Sequence, residues 1–249
     1  MTHPHYSRAP ITEAIIDFRV GAKSASALTS LADTANALSG VLPVQNPIYQ
    51  GQFAVTIAPL DKKADSSVSA QHENVGYRLA NSENSRVLQL RTNGFTYSHL
   101  APYTDWNTFV GEAKHYWEKY LFAVQPQTVT RCAVRYINKF ELPGPQVELK
   151  DYFTLYAEIP KEIPPNMTGM FMQLRMPQPD IGATAIINTA IADTSTPNHI
   201  AIVLDFDLFF ETTVPSSDPE LWETMQKLRS RKNQLFNACI TNQTKELIR

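Results

Sequence analysis

The chain has 249 residues, 43% of them hydrophobic, 18% charged and 10% aromatic, a globular composition long enough to bury roughly 70–75% of its unfolded surface without disulfide or metal staples. Lys and Arg number 22 against 24 Asp and Glu, a formal charge of -2 with no basic run, which argues against a nucleic-acid face. Apolar stretches such as Ala201-Ile202-Val203-Leu204 are far short of the ~20 residues that cross a bilayer, the start carries no signal-peptide pattern, and two cysteines are too few for a secreted scaffold, so a cytoplasmic protein with reduced thiols and no membrane segment is expected.

Ile11 to Val20 alternates, with Ala14, Ile16, Phe18 and Val20 on one side and Ile15, Asp17 and Arg19 on the other, the two-residue period of a half-buried strand. From Ser24 to Leu38 the apolar positions Ala27, Leu28, Leu31, Ala35 and Leu38 recur at helical spacing, and Gly40 suits the helix end. Gln52 to Pro59 reads as a strand and the polar Asp61 to Asn74 as a loop. Gly76 to Ala80, Arg86 to Asn93 and Phe95 to Leu100 read as three antiparallel strands joined by turn residues at Asn81-Ser82-Glu83-Asn84 and Asn93-Gly94. Thr104 or Asp105 then caps a long helix with the stripe Trp106, Phe109, Val110, Ala113, Tyr116, Trp117, Tyr120 and Leu121.

The second half starts with a strand from Thr128 to Leu142 and continues into a Pro-rich stretch with a short helix around Leu149 to Ala157, beyond which Pro160, Pro164 and Pro165 break anything longer. Strands follow at Gly169 to Met176, Ala183 to Ala192 and Ile200 to Glu211. Ser217 or Asp218, with Pro219, opens a last long helix whose stripe is Leu221, Trp222, Met225, Leu228, Leu235, Phe236, Cys239 and Ile240.

This order predicts an α+β fold, an antiparallel sheet with long helices on one face. Two passes of strand, helix, strands and helix suggest a duplicated unit in residues 1–126 and 127–249, TBP-like in shape, although one continuous domain and a helix-grip-like arrangement fit the same pattern. Either analogy concerns shape alone.

Alternation on the strand from Arg131 to Phe140 groups Cys132, Val134, Tyr136, Asn138 and Phe140, leaving Arg131, Arg135 and Lys139 opposite. On Leu204 to Glu211 the core set is Leu204, Phe206, Leu208 and Phe210, with Asp205, Asp207 and Glu211 opposite. Asp17, Arg19, Arg78, Arg91 and Arg175 can join these residues, so the face away from the helices should be rich in Arg and Asp. It reads either as a solvated face laced with cross-strand charge pairs or as a recognition surface, since the planar arginine fork suits carboxylates, phosphates or a partner's acidic groups.

Other chemistry is scarce. No two of the nine glycines are closer than Gly40 and Gly51, which removes the usual phosphate-cradling loops and the nucleophile elbow. Asp205 and Asp207 could hold Mg²⁺ or Mn²⁺, but the third carboxylate and phosphate loop that phosphoryl-transfer enzymes use are not identifiable. His3, His5, His72, His99, His115 and His199 share no metal-ligand spacing, and Cys132 and Cys239 read as small buried hydrophobes. The basic side of the last helix, Lys227, Arg229, Arg231 and Lys232, reads as a solvated face.

Pro10-Ile11-Thr12-Glu13-Ala14, Thr130 to Asn138 with its Arg-Tyr-Ile-Asn signature, Leu204-Asp205-Phe206-Asp207 and the final Leu228 to Leu247 segment together resemble a sporadically distributed, uncharacterised prokaryotic family of about this length. The resemblance spans nearly the whole chain and implies a single bacterial or archaeal unit; the family's patchy distribution hints at mobile or defence-related genes. It brings no catalytic residue, metal or cofactor. The candidate ligand- or partner-binding residues are Glu13, Arg131, Arg135, Asp205 and Asp207, while Pro10, Tyr136 and Asn138 read as architectural. The expected function is binding of a small ligand, a protein partner or a second copy, on the polar face or in a groove between the halves. The alternative is a divalent-metal-dependent enzyme acting on a nucleotide or nucleic acid.

Overall fold

In the computed structural model, which describes residues 6–21, 26–56, 67–144, 146–160, 162–163, 167–217 and 219–249, β1 (Ile11–Val20) buries Ala14, Ile16, Phe18 and Val20 on one face and turns Ile15, Asp17 and Arg19 to the other. After α1 (Ser26–Ala37) come β2 (Val44–Thr56), β3 (Ser67–Ala80), β4 (Arg86–Arg91) and β5 (Gly94–Leu100), and then α2 (Trp106–Val124). The second half comprises β6 (Thr128–Pro143), the single-turn α3 (Leu149–Tyr152), β7 (Phe171–Gln178), β8 (Ala183–Ala192), β9 (His199–Pro215), α4 (Glu220–Cys239) and α5 (Asn242–Leu247).

The nine strands among the described residues join one antiparallel sheet in the order β2-β3-β4-β5-β1-β6-β9-β8-β7. β1 lies at its centre, with Asp17 opposite Thr96 of β5 on one side and Ala133 of β6 on the other. Helices α1, α2 and α4 share a single hydrophobic core with the apolar face of the strands, so the helices cover one face, as the periodicity predicts. Phe18 joins this core at the centre of the sheet, its ring 4.7 Å from that of Trp117 on α2 and 5.4 Å from that of Trp222 on α4.

α2 starts where Asp105, in extended conformation, accepts from the Thr108 amide at 2.9 Å. It ends at Gln125, whose left-handed backbone lets its N–H reach the Leu121 carbonyl. α4 has Pro219 at its N-cap; the alternative cap residue Asp218 lies outside the described residues.

Three expectations need correction. The strand expected over Gln52–Pro59 is the end of a longer β2, with residues 57–66 outside the described residues, and the loop expected over Asp61–Asn74 is overturned in its second part because β3 begins at Ser67. Those polar residues pair with β2 from Tyr49 to Thr56, and backbone ladders need no apolar side chains. The short helix ends at Tyr152, because the next residue, Phe153, leaves it to bridge Ile240 after α4. His3 and His5 lie outside the described residues, and among those described no helix is long and apolar enough to cross a membrane.

Candidate functional site

Two concavities collect the polar residues that the sequence singles out. The first lies on the open face, where β5, β1, β6 and β9 run side by side. Asp17 Oδ1 accepts from Arg19 Nε and Arg131 Nη1, both at 3.1 Å; its Oδ2 accepts from Thr96 Oγ1 at 2.7 Å and Arg91 Nη2 at 3.3 Å. Arg131 extends through its other nitrogen to Asp207 at 2.9 Å. Arg135 grips Asp205 with two bonds, Nε to Oδ1 at 2.9 Å and Nη2 to Oδ2 at 2.7 Å, and Asn188 Nδ2 adds a third at 2.9 Å.

This network is denser than a face of isolated surface pairs, because the arginines lie along the sheet and cover the carboxylates. Asp205 is 4% exposed and Asp17 9%. Arg131 and Arg175 also flank the buried Phe209 ring, at 4.4 and 5.3 Å. Burial is the main force raising the Asp207 carboxyl above its usual range, against the opposing pull of Arg131 and Arg135. The bond to Asp205 holds the Arg135 guanidinium above its ordinary value. Glu13, Arg131, Arg135 and Asp207 line a hollow of about 380 Å³ here. Asp205 is not among its lining residues and sits against Arg135 and Asn188.

Chemically this site is paired within itself, except that the buried Arg91 Nε has no hydrogen-bond partner among the described residues. Both Asp205 oxygens and Asp207 Oδ2, which a divalent cation would need, are bonded to arginine, and among the described residues no three His, Cys, Asp or Glu side chains are grouped to hold a metal.

The second concavity, about 450 Å³, lies on the helix side, where the chain entering β1, the segment leading into α2, strand β6 and helix α4 converge. Pro10, Tyr136 and Asn138, read from sequence as architectural, all line it. Asn138 is buried and its amide nitrogen donates to the Leu204 carbonyl at 3.0 Å. The Tyr136 hydroxyl shares a 3.1 Å hydrogen bond with that of Tyr103, and burial raises the pKa of both phenols.

Lys232 dominates this cleft. It is 7% exposed, its Nζ stands 3.9 Å from the centre of the Tyr136 ring, and it makes no hydrogen bond or ion pair among the described residues. Burial, with a smaller push from Arg229, lowers its pKa to about 7. Arg229, one turn earlier, lines the same cleft with its guanidinium 5.4 Å from the centre of the Trp106 ring. The solvated basic face expected on α4 is thereby corrected: Lys232 is buried, and Arg231 bonds Asp180 and Gln178. The available signal was positional, since Lys232 falls four residues after Leu228 and four before Phe236, inside the apolar stripe.

The thiols of Cys132 and Cys239 are buried, and burial pushes them up to about 12 and about 11, far from nucleophilic at neutral pH. Comparison with protein-family models, curated proteins and solved structures finds no match to this chain.

Proposed function

We propose that this protein is a binding protein, and that it takes a small ligand in the cleft between two halves, residues 1–126 and 127–249. The observation that carries this reading is the Lys232 amine, buried without a polar partner among the described residues and facing a cavity of about 450 Å³, a size typical of small-molecule sites. An amine so placed costs stability that packing alone does not require, and functional sites are where such costs are retained.

The halves belong to the same proposal. β1 and β6 pair at the centre, β5-β4-β3-β2 run outward on one side and β9-β8-β7 on the other, and each half closes with a long helix over its own part of the sheet. That arrangement supports a duplicated, TBP-like unit with one outer strand fewer in the second half, and it sets α2 and α4 on either side of the cleft. The metal-dependent alternative has less support, because arginines occupy the carboxylates it would use. The resemblance to a patchily distributed family hints at a defence-related setting but bears on no residue.

The test is a thermal-shift screen of nucleotides, metabolites and divalent metals on the wild type and on Asn233→Trp, which fills the cleft. A stabilising compound raises the melting temperature by several degrees in the wild type only. Stabilisation that persists in the filled variant, or none from any compound, would overturn the reading.

A further inference from the structure

We infer that the occupant of this cleft is an oxyanion, a small molecule bearing a carboxylate or phosphate head that pairs with Lys232 Nζ and Arg229. The inference rests on the cleft reading above and adds the charge and the chemical class of the ligand.

Two cationic side chains of α4 face this cavity and neither makes an ion pair among the described residues. The titratable groups around Lys232 are Arg229 on α4, Tyr136 on β6, Tyr103 and Asp105 before α2, and Tyr6 near the N-terminus. Asp105 is the only carboxylate among them, and it is exposed and already holds the Thr108 amide and hydroxyl. Tyr6 donates to Asn237 Oδ1 at 2.6 Å. The bond between the Tyr103 and Tyr136 hydroxyls uses one of their two hydrogens, which leaves the other for a ligand oxygen. The cleft therefore presents an ammonium, a guanidinium and a hydroxyl donor, all suited to an oxyanion. Tyr103, Trp106 and Phe236 form apolar walls for the body of such a molecule.

The anion's arrival changes the protonation of the amine. With its pKa at about 7, Lys232 is mostly neutral at pH 8. A paired anion favours the charged form, so binding at that pH draws a proton from solvent onto Nζ. At pH 5.5 the amine is already charged and no proton is taken up.

Isothermal titration with inorganic phosphate, benzoate and its neutral counterpart benzamide, in two buffers of different ionisation enthalpy, reads affinity and proton uptake together. The expected result is binding of phosphate or benzoate, with benzamide about 10–100-fold weaker than benzoate if benzoate binds. For benzoate, which is ionised at both pH values, most of one proton is taken up per anion at pH 8 and almost none at pH 5.5, whereas phosphate, whose own protonation changes between them, reads affinity only. In Lys232→Met the anion binds about 10–100-fold more weakly with no uptake, whereas in Arg229→Gln affinity falls but uptake persists. Phosphate binding alone points to a phosphate head, benzoate binding alone to a carboxylate. Benzamide binding as tightly as benzoate, or anion binding unchanged in Lys232→Met, would overturn the anion assignment while leaving the cleft as a binding site. Silence from all three probes also overturns the assignment, and the fate of the cleft reading then rests on the Asn233→Trp screen.

Discussion

Lys232→Met keeps an unbranched stem in place and removes the charge. Because the buried amine releases its proton near pH 7 and an unfolded lysine only near 10.4, the unfolded chain binds more protons between those values and wild-type stability rises with pH across that window. Below pH 7 the full penalty is present, about 4–5 kcal/mol at pH 6; it falls to about 2 kcal/mol at pH 9 and nearly vanishes above pH 10.4. Methionine carries none of it. The variant is therefore expected to exceed the wild type by about 4 kcal/mol at pH 6, or about 8–16 °C in melting temperature for a chain of this size, and by about half as much at pH 9. Guanidinium unfolding of both proteins at the two pH values, in buffers without carboxylate or phosphate, measures the gap. A gap independent of pH, or a variant less stable than wild type at pH 6, would refute the reasoning.

The open face yields further expectations. Arg135→Ala strips Asp205 of its bidentate partner and leaves a carboxylate that is 5% exposed with only Asn188; because Arg135 is itself half-exposed, the expected loss is about 2–3 kcal/mol by urea unfolding. The double variant with Asp205→Ala should lose less than the sum of the singles, since each removes the other's partner. Millimolar Mg²⁺ or Mn²⁺ should leave the melting temperature unchanged, and a rise that Asp205→Ala abolishes would restore the metal-enzyme alternative. Gly76→Ala should cost a few kcal/mol and lower the melting temperature, because its Cβ would stand 2.0 Å from the Leu90 carbonyl oxygen.

Periodicity made the elements legible where burial follows the backbone. Phe18 and Asp17 fall on opposite faces of β1, Trp117 falls in the stripe of α2, and Asp205 and Asp207 lie opposite Leu204 and Phe206 on β9, as their spacing predicts. Ser67 to Asn74 escapes the pattern because a strand paired through its backbone needs few apolar side chains. The place of β1 between β5 and β6 could not be read, since strand order is set by tertiary packing. Of the two concavities, the sequence pointed to the one rich in visible charge, where Arg131 and Arg135 prove to be bonded to Asp17, Asp205 and Asp207. Lys232 reads from sequence as part of a solvated face because an amphipathic pattern treats every lysine as solvent-facing, and a charge inside an apolar stripe stands out only once the neighbours of that stripe are known.

The central claim is that the cleft holds a buried, unpaired amine. The most direct measurement is a pH titration of the lysine Cε resonances by carbon-13 NMR, with the Lys232 signal identified by its loss in Lys232→Met. The account predicts a midpoint near 7 for that signal. A midpoint near the ordinary lysine value of about 10.4 would contradict it, since it would mean that the amine is solvated or already paired.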